Sequence, residues 1–294
     1  MAKTALHPKV LLSVIIPVYT TQERFTYNKG LLKNFVNSPI EIIYVRTSEK
    51  CYEEDLILNT EGLDYSIISL LGADPGKARN AGMAIARGNW IAFWDSDDFP
   101  LIANIIRLLN KAIRENSTMA VGQFQIQNSE TGQISKPSEN QEIDENFAMN
   151  PGLWRCLFKS EIVKSNTFPN HLMAEDQVFL SKLELENLKI SFSNDVIYRY
   201  IRYQSGQLTR SKVAIADLPK SILETKQIID VKGLSIFRLI SLIRQITTAL
   251  FRGNIRTKIK TLKLVFYFLL VRRKLSLKLT LITLMKLKSL RRGS

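Results

Sequence analysis

Cysteine is scarce in this chain: Cys51 and Cys156 stand far apart, with no even framework at short spacing. That argues against a disulfide scaffold and for a reducing, cytosolic setting. Long hydrophobic runs are missing too. The apolar block at 262–270 falls well short of the roughly 20 residues that a spanning helix needs, so no segment is expected to cross a bilayer. Lys3 and Lys9 ahead of the apolar run at 10–19 imitate a secretory signal, but Pro17 interrupts the run and no small-residue cleavage site follows. A buried first strand is expected there instead. No basic, glycine-rich phosphate loop follows that strand, since Thr20-Thr21-Gln22-Glu23 stands in its place, which argues against a nucleotidyltransferase. No internal repeat is evident.

The largest absence is of acid. Residues 231–294 hold 16 Lys or Arg and no Asp or Glu, whereas 1–230 hold 25 basic and 27 acidic residues, so the whole excess of +14 lies in the last part. Such a split marks a module with an anionic partner, either a phospholipid surface or a nucleic acid. Composition chooses between them. Ile236, Phe237, Leu239, Ile240, Ile243, Ile246 and Leu250 recur near helical spacing, and 262–270 is apolar between Lys260 and Arg272-Arg273-Lys274. Nucleic-acid arms are seldom this apolar, so the expectation is a basic amphipathic helical tail lying on an anionic membrane surface, with no nucleic acid bound. The alternative is a helical hairpin packed on the body of the protein or on a second subunit. Over 275–290 the apolar residues nearly alternate at first, and periodicity leaves helix and strand open.

Between 10 and 126 apolar runs at 10–18, 40–45, 65–71, 90–94 and 119–126 alternate with helical segments near 26–37, 50–59, 77–87 and 100–115. This pattern predicts an α/β fold with a mostly parallel central sheet, flanked by helices on both faces and joined by right-handed crossovers. Residues 128–150 are polar and bounded by Pro151-Gly152, and read as a flexible surface loop. The economical division is one domain at 1–230 and the tail at 231–294.

Chemistry concentrates after the fourth strand. Trp90 to Trp94 runs straight into Asp95-Ser96-Asp97-Asp98. Three carboxylates at the carboxyl end of a parallel sheet, where open α/β folds place ligands, invite Mg²⁺ or Mn²⁺ held jointly with substrate phosphate oxygens. Just upstream, Asp74-Pro75-Gly76 reads as a turn opening a helix at 77–87, closed by Gly88-Asn89 as by a left-handed cap. Its free N–H groups would favour an anion beside the acidic loop.

At these residues the chain resembles the family 2 glycosyltransferases, enzymes of the GT-A fold that use nucleotide-sugar donors. The likeness begins at Leu12-Ser13-Val14-Ile15-Ile16-Pro17-Val18-Tyr19 and continues through Ala78-Arg79-Asn80-Ala81-Gly82 and Asp95-Ser96-Asp97-Asp98. It returns at Gly152-Leu153-Trp154-Arg155-Cys156-Leu157-Phe158-Lys159, at Glu175-Asp176 and at 198–210, so it covers roughly residues 10–210. The resemblance implies a Rossmann-like GT-A domain, Mn²⁺ or Mg²⁺ as cofactor, a nucleotide-sugar donor and a glycan or lipid-linked acceptor. Taken with the basic tail and the sparse cysteines, this would put the protein at the cytosolic face of the membrane, in polysaccharide biosynthesis for the cell envelope. It places Pro17, Tyr19, Arg79, Asp95 and Arg202 on the donor side, Asp97 on the metal with Asp98 as an auxiliary acid, and Asp176 as the general base of an inverting transfer. A basic stretch with Arg199, Arg202 and Arg210 would close over the diphosphate.

Two departures stand out. Relatives carry an Asp-Asp-Gly-Ser-like turn after the second strand, whose first acid holds the nucleobase; here Arg46-Thr47-Ser48-Glu49 follows, so base recognition would be altered, shifted to Thr47 or Ser48, or lost. Arg46 could instead meet a phosphate or pair with Glu49. Relatives also often place a His in the closing segment as an extra metal ligand, and none is present at 198–210; His171 reads as a lone surface residue. A rival reading is therefore a degenerate, membrane-associated scaffold, supported by Arg46 and opposed by Asp95, Asp97 and Asp176.

Overall fold

The computed structural model describes residues 10–19, 36, 38–52, 56, 62–138, 142–203 and 211–271. The expected helices near 26–37 and 50–59 fall almost wholly outside these, as do Thr20 to Glu23, the closing residues 204–210 with Arg210, and the stretch 275–290.

Strands β1 (Leu12–Val18), β2 (Ile40–Arg46), β3 (Asp64–Ser69) and β4 (Trp90–Phe93) form a parallel half-sheet in the order β3-β2-β1-β4. Alternate side chains leave each strand on opposite faces, so the near-continuous apolar runs feed two layers. Leu12, Val14 and Ile16 pack with Ile105, Leu108 and Leu109 of the helix at 102–114, while Ile15 packs with Ile43, Phe93, Ala78 and Met83. Helix α1 (Pro75–Ile85) thus covers one face and α2 (Ile102–Arg114) the other.

Helix α1 is pressed hard against β1: a Cβ on Gly82 would come within 2.4 Å of the Ile15 side chain. Its close differs from the expected left-handed cap. Ala86 ends the helix with ψ 128°, and Gly88 is there for space, because a Cβ would meet the Ser13 amide nitrogen at 2.5 Å. The Gly88 amide uses that closeness to donate to Ser13 Oγ at 2.7 Å.

The other half of the sheet is mixed. It contains β5 (Phe99–Pro100), β6 (Met119–Asn128), β7 (Cys156–Lys159) and β8 (Ile190–Arg202), extending the order as β4-β7-β6-β8-β5. Strand β7 is antiparallel to both β4 and β6, whereas β8 runs parallel to β6. The stretch expected to be a loop at 128–150 is partly built in. Asp144 caps a short helix, α3 (Glu145–Met149), whose Phe147 and Ala148 are fully buried, so apolar burial holds its end in place.

Short α4 (Ser160–Lys164) and α5 (Glu175–Lys182) lie between β7 and β8. After β8 come α6 (Lys212–Ile215), α7 (Leu218–Lys232), α8 (Ile236–Arg252) and α9 (Ile255–Val271). Phe237 and Ile240 of α8 enter the core layer that holds Phe147, Phe179 and Leu180, and Leu242 and Ala249 pack with Ile222 and Ile229 of α7. Arg238, almost wholly buried, donates to the Ser181 carbonyl and pairs with Glu186 at 2.6 Å. Among the described residues no helix is long and apolar enough to cross a membrane.

Candidate active site

The acidic turn after β4 is held by β8. The Asp95 amide donates to the Tyr198 hydroxyl at 3.0 Å, and the Ile201 amide donates to Asp98 Oδ1 at 2.7 Å. Tyr203 donates its hydroxyl to the Asp97 carbonyl at 3.0 Å. Asp98 is buried, and burial, then the charges of Asp95 and Asp97, push its carboxyl well above the usual range against the pull of the Ile201 amide and the Tyr198 hydroxyl. Its backbone bond and its burial make it a fastener of the turn. Tyr198 is itself braced by Trp154, stacked at 4.7 Å between ring centroids.

Arg79, in the second turn of α1, joins this acidic turn to a second acidic pair. Its guanidinium is buried, donates from Nη2 to Asp95 Oδ1 at 3.1 Å and from Nη1 to Glu175 Oε1 at 2.7 Å. Beneath it, 5.6 Å away, lies the Phe168 ring, which stacks on Phe179. Neighbouring Asn80 fixes Phe168 from both sides, donating to its carbonyl and accepting from its amide at 2.9 Å each. An Arg suits this position because the separate N–H groups of its planar fork reach two carboxylates in fixed directions.

Glu175 and Asp176 open α5 after Ala174, a non-glycine residue at φ 62°. Left-handed backbone at such a residue is strained and tends to occur where function fixes geometry. Burial, then the Asp176 charge, raises Glu175 to about 7 despite Arg79. Burial also raises Asp176, while the charges of Arg79 and of Arg244 hold it back. Arg244 comes from α8 and donates to the Ala148 carbonyl at 3.0 Å, so the basic segment contributes a charge to the site.

The structure therefore brings Arg79, Asp95, Asp97 and Asp176 into one neighbourhood. Arg202 ends β8 beside Ile201, exposed, and Tyr19 is 62% exposed just past β1, open to stacking rather than in the core. Pro17 lies opposite Val45 of β2, partly buried. Arg46 donates to the Cys51 carbonyl and to Ser69 Oγ rather than to Glu49. Thr47 donates its hydroxyl to the Val18 carbonyl. His171 is not on the surface but buried, bonded to Glu224 at 2.8 Å. Sequence reasoning missed Tyr198 and Arg244; the alternation around Tyr198 was a usable signal, whereas only the packing of α8 brings Arg244 to Asp176.

Among the described residues no group of three or more His, Cys, Asp or Glu is arranged to hold a metal ion. Asp95 is committed to Arg79 and Asp98 to the Ile201 amide. A hard cation carried in with diphosphate oxygens and water needs few protein carboxylates, and Asp97 on this turn is the candidate among them.

The family model for glycosyl transferase family 2 matches residues 13–170, a stretch that includes β1, α1 and the acidic turn. The chain belongs to this family. Among curated relatives of the family, a poly(ribitol-phosphate) beta-glucosyltransferase of Bacillus spizizenii is 29% identical over 211 residues, covering 67% of this chain and 33% of the relative. A cholesterol galactosyltransferase of Borreliella burgdorferi is 25% identical, covering 74% and 67%. The chain spans about a third of the length of the Bacillus protein and of glycosyltransferase GlyA of Streptococcus pneumoniae. Among solved structures, Staphylococcus aureus TarS 1–349 in complex with UDP-GlcNAc superposes with a TM-score of 0.63 at 17% identity, covering 82% of this chain and 72% of that one. The fold is thus the GT-A fold expected from the resemblance.

Proposed function

We propose that this chain transfers a sugar from a nucleotide diphosphate to a hydroxyl of a glycan or lipid-linked acceptor, with inversion, for cell-envelope polysaccharide. The observation that carries the reading is the Arg79 fork, which ties Asp95 and Glu175 together and so sets the acidic turn beside the Asp176 helix. The donor lies over the acidic turn, its ribose toward Asp95 and its diphosphate toward Asp97 and Arg202. A divalent cation bound through Asp97 would supply positive charge to the departing diphosphate. Asp176 takes the proton of the acceptor hydroxyl as its oxygen attacks the anomeric carbon. The bond to the diphosphate breaks, and its electron pair leaves with the phosphate oxygen. Burial, which strengthens Asp176 as a base, and the charges of Arg79 and Arg244, which keep it ionised, act against each other in a useful way.

TarS was solved with UDP-GlcNAc, which makes uridine diphosphate sugars the first donors to try. With no carboxylate ending β2, the base is held by stacking on Tyr19 more than by a side-chain acceptor. The basic segment then keeps the enzyme peripheral on an anionic membrane surface at the cytosolic face. A panel of UDP-, GDP- and dTDP-sugars, assayed for hydrolysis with Mn²⁺, tests the reading. Turnover of one donor class supports it, and no turnover or binding of any donor would leave the scaffold as the better account.

A further inference from the structure

Helix α9 is apolar on two opposite sides. One side faces inward: Thr257 and Thr261 are buried, and Leu264 and Phe268 pack against the cluster of Leu218, Ile222 and Ile229. The other side carries Ile255, Ile259, Leu262 and Phe266, which are 74%, 47%, 55% and 63% exposed. At about 100° per residue these four fall within about 60° of arc. Helix α8 has no second stripe of this kind; its Phe237, Ile240, Leu242 and Ala249 are all consumed inside the protein. An outward stripe of four large apolar side chains marks an interaction surface.

Charge names the occupant. Arg256, Lys260 and Lys263 stand exposed on one flank of the stripe, and no acid occurs anywhere in 231–294. A second copy of this helix, or the basic residues 272–294, would bring like charge to like charge. An acidic lipid surface would not.

We infer that the outer stripe of α9 is the face by which this chain docks on an anionic phospholipid bilayer, with Ile255, Ile259, Leu262 and Phe266 entering the acyl boundary and Arg256, Lys260 and Lys263 meeting headgroup phosphates. This rests on the reading that the basic segment meets a membrane, and it assigns that role to one face of one helix.

Co-sedimentation of the full chain with vesicles of phosphatidylcholine, with or without phosphatidylglycerol, tests it. The variant carrying Ile255→Ser, Ile259→Ser, Leu262→Ser and Phe266→Ser should lose about tenfold or more in partitioning to the anionic vesicles, with an unchanged melting temperature and unchanged donor hydrolysis in solution. Arg256→Glu, Lys260→Glu and Lys263→Glu together should remove the salt-sensitive part of binding and leave the stripe intact. If the unaltered chain ignores anionic vesicles, the membrane reading fails and this inference with it. Binding of the unaltered chain that the serine variant retains would overturn the inference alone. A dimer in solution that the serine variant converts to monomer, with vesicle binding unaffected, would give the face to a second copy instead.

Discussion

The acids after β4 sit on a turn between strands, where backbone amides and Tyr198 reach them, whereas Glu175 and Asp176 sit in the first turn of a buried helix behind a strained Ala174. Asp98 on the turn is fastened by the Ile201 amide, and Asp95 by Arg79. On the helix, burial dominates and raises both carboxyls. Burial raises Asp98 on the turn as well, but Asp95 stays partly exposed there. Under the proposed function the turn serves the donor and the helix exchanges a proton, and a single guanidinium ties the two together. Similar residues on different backbone scaffolds thus acquire different chemistry.

Breaking the link should have the largest effect. Arg79→Ala leaves Glu175 buried without its partner and should cost about 3–5 kcal/mol of stability in denaturant titration, with transfer lost as well. A cost under about 1 kcal/mol would show that the two acidic groups are not coupled through Arg79. Next comes the fastener. Asp98→Ala frees the buried Ile201 amide and should cost about 1–3 kcal/mol, whereas Asp98→Asn keeps an acceptor of the same shape and should cost less; equal losses in thermal melts would contradict a role through that bond.

The smallest effect is a slope. Glu175, raised to about 7, binds its proton more tightly folded than unfolded, so its contribution to stability is full below the ordinary carboxylate range. That contribution fades as pH rises toward about 7. Glu175→Gln has no proton to lose and should flatten the change in melting temperature between about pH 5 and pH 8. A native protein that instead gains stability over the variant as pH rises would mean that pairing with Arg79 outweighs burial.

Much of this was legible in the sequence. The strands β1 to β4 announced themselves as apolar runs, and Asp95, Asp97 and Asp176 stood out through the motifs around them. Strand β7 escaped because a four-residue strand, three of its residues buried, carries no period of its own, and the mixed half of the sheet escaped with it. The fate of Arg46 was invisible for a different reason: its partners, the Cys51 carbonyl and Ser69, are set by how β2 and β3 pair and by the turn after β2. The basic segment looked uniform in composition, yet α8 buries most of its apolar side chains, leaving Ile236 and Phe251 exposed at its two ends, while α9 leaves a whole apolar face outside.

The division of labour between the two acidic groups is tested most directly by comparing Asp97→Asn and Asp176→Asn in one experiment. Donor affinity with and without Mn²⁺, and transfer rate, are measured on the same preparations. Asp97→Asn should lose the metal-dependent part of donor binding, because it removes a charged oxygen from the cation. Asp176→Asn should keep donor binding and lose roughly 10²- to 10⁴-fold in rate, the mark of a group needed in the transition state. Full activity in Asp176→Asn, or unchanged Mn²⁺-dependent affinity in Asp97→Asn, would contradict the account.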